Sequence, residues 1–289
     1  MSDLDSSNFD DTIFRNIADF IKIHSGILIK ENKKHLLGNR LRKRIRELNI
    51  NSFNEYWEYL NSKNVFHDEI YHIYNCVTTN ETYFQRGASH YPILKGLLPD
   101  MVHRKSSENN RPVQIWSCGV STGEEAYDIA MICLDFETEH PETNIQIIGT
   151  DLSNRVLEFA RHGEYADRRI DKLSDIQVEN YFDKIAPPES RLPHAKKVLR
   201  TKNILKEKVR FQYHNMMSDD YPANMDVIFC RNVLLYFAPD MLDTIMNKFH
   251  ASLNNGGYLF LGPSETLNVS PVNFTKLKFD QATIFQKNG

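Results

Sequence analysis

Apolar residues in the first part of the chain recur at steps of three and four. Ile13, Ile17, Phe20 and Ile21 fall on one face of a helix over Phe9–Ser25. Leu37, Leu41, Ile45 and Leu48 repeat the spacing, and Tyr56, Trp57 and Leu60 repeat it again over Phe53–Leu60. Strand-like alternation is absent from residues 1–86, so the pattern predicts an all-helical N-terminal domain there. After about residue 110 short apolar runs alternate with helical ones. Val113–Ser117, Ile145–Thr150, Val209–Tyr213, Asp226–Cys230 and Gly257–Gly262 read as strands. Glu124–Glu137, Asn154–His162 and Met241–Leu253 read as the helices between them, and Lys276–Asp280 with Thr283–Gln286 closes as a hairpin. This alternation predicts an α/β fold over residues 87–289, a doubly wound, mostly parallel sheet with an antiparallel edge. The alternation breaks between Gly163 and Lys208. There Ser174-x-x-Gln177 is a capping box for a short helix ending near Phe182, Pro187, Pro188 and Pro193 mark turns, and Lys197–Thr201 reads as a strand. Residues 164–208 are therefore expected to form a small β-subdomain inserted on the main sheet.

Composition narrows the function classes. With 289 residues and 41% hydrophobic side chains the chain can bury a core in each of two domains. Lys and Arg number 35 against 38 Asp and Glu, a net charge of −3, which excludes a uniformly basic nucleic-acid binder. No run approaches the roughly 18 apolar residues of a membrane span, and the first residues carry neither the basic nor the apolar part of a secretory signal. Cys76, Cys118, Cys133 and Cys230 form no CxxC pair and no zinc spacing with histidine, so reduced thiols in the cytoplasm are expected and no metal is.

Four segments carry candidate chemistry. Trp116–Glu125 follows a strand and opens a helix, and Gly119 allows a tight turn with close backbone approach to a ligand. The plain alternative is that Ser121-x-x-Glu124 is only a capping box. Asp151 ends the next strand, where a carboxylate can take both hydroxyls of a ribose or cap the helix starting near Asn154. Asp226–Phe237 puts Arg231 and Asn232 at the same sheet edge. Thr78–Arg86 is rich in uncharged polar side chains and ends on an arginine; an interdomain linker with a helix cap would look the same. No Ser/His/Asp or Cys/His constellation is evident.

These segments, in this order, resemble the chemotaxis receptor methyltransferase (CheR) family of S-adenosylmethionine-dependent enzymes. The family's TTNxTxFFR is similar to Thr78–Arg86, its STGEE to Ser121–Glu125, its strand-end Asp to Asp151, its FCRNVxIYF to Phe229–Phe237 and its GHSE to Gly262–Glu265. The resemblance implies a seven-stranded class I methyltransferase sheet and a helical receptor-docking domain. It implies methyl transfer from S-adenosylmethionine to chemoreceptor glutamates, giving γ-glutamyl methyl esters and S-adenosylhomocysteine. Carried over residue by residue, Asn80, Thr82 and Arg86 lie toward the methionine end and the transferred methyl. Glu125 and Asp151 hold the methionine/adenosine part and the ribose, Gly119 lies against the cofactor, Asn215 and Met216 flank the adenine, and Arg231 and Asn232 complete the pocket. Arg86 and Tyr236 are the implied catalytic pair. The chain departs from the family pattern at Gln85, where the family has Phe, at Pro263, where it has His, and in a longer Asp183–Ala195 stretch. These departures leave a second class open, a module that binds the cofactor or a nucleotide without turnover.

Residues 30–46 hold Lys30, Lys33, Lys34, Arg40, Arg42, Lys43, Arg44 and Arg46 against Glu31 alone, a surplus of seven positive charges. In an acidic chain such a block steers an acidic partner, here the cytoplasmic helices of a methyl-accepting receptor; its bland alternative is a solvated helix face. It lacks the interleaved aromatics of a nucleic-acid surface. In some relatives the β-subdomain also takes a C-terminal receptor peptide by strand addition. Lys197–Thr201, flanked by Lys196, Arg200 and Lys202, is the expected edge strand for such a peptide. The longer preceding loop points to a member that does not depend on that tail.

Overall fold

The computed structural model describes residues 9–62, 66–107, 111–186, 189–265, 273–280 and 282–288. The prolines Pro187 and Pro188 of the turn-rich stretch lie outside the described residues.

Four helices form the N-terminal unit: α1 (Asp11–Ser25), α2 (Lys34–Glu47), α3 (Phe53–Leu60) and α4 (Phe66–Val77). Asp10 starts α1 by accepting the Ile13 N–H at 2.8 Å, and Ser52 starts α3 by accepting the Glu55 N–H at 3.1 Å. The apolar stripes meet as the pattern requires, with Ile17, Ile21, Leu41, Ile45, Phe53, Tyr56 and Ile73 buried together. Glu69 of α4 is sunk in this core, where Arg44 holds it through two nitrogens and the Tyr56 hydroxyl donates at 2.8 Å.

A fifth helix, α5 (His90–Ser107), leads into the sheet unit. Strands β1 (Val113–Cys118), β2 (Ile145–Asp151), β6 (Val209–Tyr213), β7 (Met225–Cys230), β8 (Leu253–Leu261), β9 (Phe274–Phe279) and β10 (Ala282–Lys287) form a seven-stranded sheet in the order β6-β2-β1-β7-β8-β10-β9. The first five strands run parallel, and β10 is antiparallel to both its neighbours. This is the expected doubly wound sheet with an antiparallel edge. Helices α6 (Glu124–Glu139) and α7 (Asn154–His162) follow β1 and β2, and α10 (Pro239–Ser252) precedes β8. Chain order reverses between β1 and β7, and ligands of such sheets bind in the crevice at that switch point.

The stretch between α7 and β6 carries β3 (Glu164–Ala166), α8 (Asp175–Tyr181), β4 (Phe182–Ile185), β5 (Val198–Thr201) and α9 (Asn203–Lys208). The Ser174–Gln177 capping box forms as read. The three strands make a separate antiparallel sheet in the order β3-β5-β4. The expectation for Lys197–Thr201 needs correcting, because β5 is the central strand. Its backbone groups are paired to β3 on one side and β4 on the other, so it offers no free edge. Residues 164–208 pack on the main unit. Tyr165, Phe182, Leu199 and Leu205 share one core with β1, α5 and α6.

The helical unit docks on the open end of the main sheet through the chain between α1 and α2. Leu28 N–H donates to the Tyr236 carbonyl at 2.8 Å, and Ala238 N–H donates to the Gly26 carbonyl at 3.0 Å. Gly26 has φ 73°, and a Cβ there would stand 2.7 Å from both Met217 Sδ and the Phe237 ring, so only glycine permits this approach.

Candidate cofactor and methyl-transfer site

A cavity of about 400 Å³ lies over the C-terminal ends of β1, β2, β6 and β7, roofed by the helical unit. Asn80, Thr82, Arg86, Gly119, Glu125, Asp151, Asn215, Met216, Arg231, Asn232 and Tyr236 all line it. The segments that carry them are far apart in sequence and converge because of strand order.

Asp151 closes the floor at the end of β2. Its Oδ2 accepts the Ser121 N–H at 2.8 Å and its Oδ1 accepts the Ser153 N–H at 2.9 Å. Asp151 is therefore not the N-cap of α7, which is Ser153 without a side-chain bond; it ties that residue to the facing Ser121 loop. Burial pushes the Asp151 carboxyl up to about 6, against the lowering effect of these main-chain donors. Gly119 turns the chain after β1 with φ 78°, and a Cβ there would stand 2.4 Å from Val233.

The Ser121-x-x-Glu124 capping box does not form. The cap of α6 is Gly123, without a side-chain bond, and Ser121 Oγ instead donates to the Asn80 carbonyl at 3.1 Å. Glu124 turns inward, is fully buried, and pairs with Arg169 and the Thr122 hydroxyl. A partner forty-five residues away, invisible to local spacing, decides this.

Glu125 accepts the Ser117 hydroxyl at 2.8 Å and lies 3.6 Å from the Arg231 guanidinium; burial raises its pKa. Arg231 is buried, donates to the Arg86 carbonyl, and stands over the Tyr91 ring at 5.5 Å. The Asn215 amide donates to the His24 carbonyl at 2.7 Å, so this residue also ties the cavity to the helical unit. Asn80 donates to the Thr78 hydroxyl at 3.2 Å, and the Arg86 guanidinium donates to the Glu81 carbonyl. Tyr236 is half-buried on the short turn Leu234–Tyr236.

Sequence reasoning missed Glu265. Its carboxylate, 1% exposed, accepts four main-chain N–H groups, from Asn232, Val233, Leu234 and Gly262, at 2.6–2.8 Å. It fixes the loop bearing Asn232, which sits at φ 61°. Its signal in the sequence is the Gly262–Glu265 segment. Two departures from the family pattern leave the cavity wall intact: Pro263 is exposed, and the Gln85 amide bonds Asp128 at 2.6 Å, behind the cavity.

The basic block is divided by its contacts. Arg40 donates to the carbonyls of Cys76 and Val77 at the end of α4, Arg44 holds Glu69, and Lys34 pairs with Asp11. Lys30, Lys33, Lys43 and Arg46 are exposed and have no ion pair among the described residues. Lys30 and Lys33 stand at the cavity mouth with Leu28, Leu36 and Leu235, whose side chains are exposed. Among the described residues no His, Cys, Asp and Glu cluster could hold a metal, and no helix is long and apolar enough to cross a membrane.

Residues 80–283 match the family model described as CheR methyltransferase, SAM binding domain, and residues 12–78 match CheR methyltransferase, all-alpha domain. The chemotaxis protein methyltransferase of Escherichia coli is 34% identical over 267 residues, covering 92% of this chain and 88% of its own. That of Borreliella burgdorferi is 33% identical over 247 residues, covering 84% and 83%. Chemotaxis protein methyltransferase 1 of Pseudomonas aeruginosa is 30% identical over 290 residues, covering 98% and 99%.

Proposed function

Since the chain belongs to the CheR methyltransferase family, we propose that it methylates glutamate side chains of chemoreceptors in the cytoplasm. The activity is S-adenosylmethionine-dependent methyl transfer. The observation that carries the finer proposal is the shared cavity, with a buried carboxylate on its floor, an arginine and a tyrosine on its wall, and exposed lysines at its mouth. The residues present fit the cofactor. Each Asp151 oxygen takes one main-chain donor and keeps a lone pair for a ribose hydroxyl, and the turn at Gly119 brings bare backbone to the cavity.

Bound S-adenosylmethionine supplies an electrophilic methyl group. Asp151, Glu125, Asn215, Met216 and Asn232 hold and orient it, and the helical unit excludes water from above. The acceptor carboxylate, with a pKa near ~4.3, is already ionised at neutral pH and needs no general base. Arg86 meets that carboxylate and aligns it, and Tyr236 packs beside the transferred group. Catalysis is then mainly proximity and in-line orientation, effects that lower a barrier by roughly 7–11 kcal/mol. Lys30, Lys33, Lys43 and Arg46 draw the acidic receptor helix toward the mouth, with residues 1–86 as the docking unit and residues 87–289 as the transfer unit.

Incubation with radiolabelled S-adenosylmethionine and receptor-containing membranes tests this. The expected result is label on the receptor band that base releases as methanol. Cofactor binding with no label on any protein would contradict it and favour a non-catalytic binding module.

A further inference from the structure

A buried polar cluster behind the cavity has no part in holding the cofactor. Asp128, one turn into α6, is 1% exposed and does not line the cavity. Its Oδ2 accepts the Gln85 N–H at 2.7 Å and the Tyr91 hydroxyl at 3.0 Å, and its Oδ1 accepts the Gln85 side-chain amide at 2.6 Å. One carboxylate thus grips Gln85 by main chain and side chain together. Gln85 sits at φ 61°, a left-handed conformation that a non-glycine residue keeps only when its surroundings hold it there. The next residue is Arg86, whose carbonyl is held by Arg231. Tyr91 joins the two grips, with its hydroxyl on Asp128 and its ring beneath Arg231. Gln85 is also where this chain departs from the family's Phe, and a Phe side chain would give the carboxylate no donor.

We propose that Asp128 is a positioning residue for methyl transfer: acting through Gln85, it sets the direction of the Arg86 side chain at the acceptor side of the cavity. This rests on the reading that Arg86 meets the acceptor carboxylate. The grip is strongest when Asp128 is ionised, because its partners all donate to it. Burial pushes Asp128 up to about 7, so the grip weakens on mild acidification. The titratable and charged groups facing it are Tyr91 from α5, Tyr165 from β3 and Arg231 after β7. Stability runs the other way. A carboxyl whose folded-state pKa is raised stabilises the fold in acid and loses that contribution as pH rises through about 7. A role confined to stability would therefore not produce activity that falls with acid.

The test uses the whole enzyme with receptor membranes, measuring kcat across neutral pH and the affinity for S-adenosylhomocysteine by calorimetry. Asp128→Asn is expected to lower kcat about tenfold or more while cofactor affinity stays within about threefold. Wild-type kcat should rise with pH through a step near 7 that the variant lacks. Gln85→Ala, which removes the donor to Oδ1 but keeps the main-chain and Tyr91 bonds to Oδ2, should lose part of the rate and keep the step, moved to higher pH. Unchanged kcat in Gln85→Ala and Asp128→Asn, or a fall in cofactor affinity equal to the fall in kcat, overturns the proposal. If Asp128→Asn does not fold, Gln85→Ala alone decides: a wild-type rate overturns the proposal and a reduced rate with intact cofactor affinity supports it. A wild-type enzyme that labels no receptor defeats the functional reading and this inference with it. A labelling wild type with unaffected variants defeats the inference alone.

Discussion

Replacing Asp151 by alanine removes the carboxylate proposed to hold the ribose. Hydrogen bonds to a charged group contribute about 1.5–3 kcal/mol each. Two of them lost, with water recovering part of the difference, gives about 3–4 kcal/mol. At about 1.4 kcal/mol per tenfold, affinity falls by a few hundredfold. Alanine is the cleaner choice than asparagine. Both Asp151 oxygens already face main-chain donors, at 2.8 and 2.9 Å, and an amide NH₂ would point at one of them. The fold should tolerate the change. Burial raises the Asp151 carboxyl to about 6, so the ionised group costs the folded state about 3 kcal/mol at neutral pH, similar to the loss of bonding at Ser121 and Ser153. The same shift predicts the pH profile. Binding needs the ionised form, so wild-type affinity is flat above about pH 7 and falls about tenfold per unit below 6, while Asp151→Ala is flat throughout. Calorimetry with S-adenosylhomocysteine from about pH 5 to 8 reads both effects. A folded Asp151→Ala with wild-type affinity, or a wild-type affinity indifferent to pH, would refute the assignment.

Reversing the charge at Lys30, Lys33, Lys43 and Arg46 should raise the receptor KM about tenfold or more at low salt and leave cofactor affinity unchanged; a fixed KM would make this face merely solvated. Arg40→Ala and Arg44→Ala should instead lower the melting temperature, because these side chains hold the end of α4 and the buried Glu69. An acid-ended, aromatic receptor-tail pentapeptide should give no heat on titration. The basic strand expected to take it, β5, is already paired on both edges, Arg200 is engaged by Glu164 at 2.7 Å, and only the short outer strands β3 and β4 are left in that sheet for strand addition. Micromolar binding would overturn that expectation.

The periodic helices α1, α2 and α3 and the apolar strands β1, β2, β6 and β7 were legible because their burial repeats along the chain. Helix α5 was not, since it carries Pro99 inside and has no clear apolar stripe. The place of β5 within its sheet could not be read from its own residues. Whether a strand is central or at an edge depends on partners distant in sequence, here Glu164–Ala166 and Phe182–Ile185. The eleven expected site residues were legible through motif order, and they gather at one cavity. The residues that brace the site, Glu265, Asp128 and Arg169, were not. Most of their partners are main-chain N–H groups or buried side chains supplied by distant segments, and only Glu265, through the Gly262–Glu265 segment, left a local mark.

The most direct test is to locate the transferred methyl group. Receptor methylated by this enzyme should be digested and mapped by mass spectrometry, with and without Arg86→Ala. Methyl esters on receptor glutamates, lost on mild base and strongly reduced with Arg86→Ala, are the predicted result. Base-stable methylation of another side chain, or of no protein at all, would contradict the proposed function.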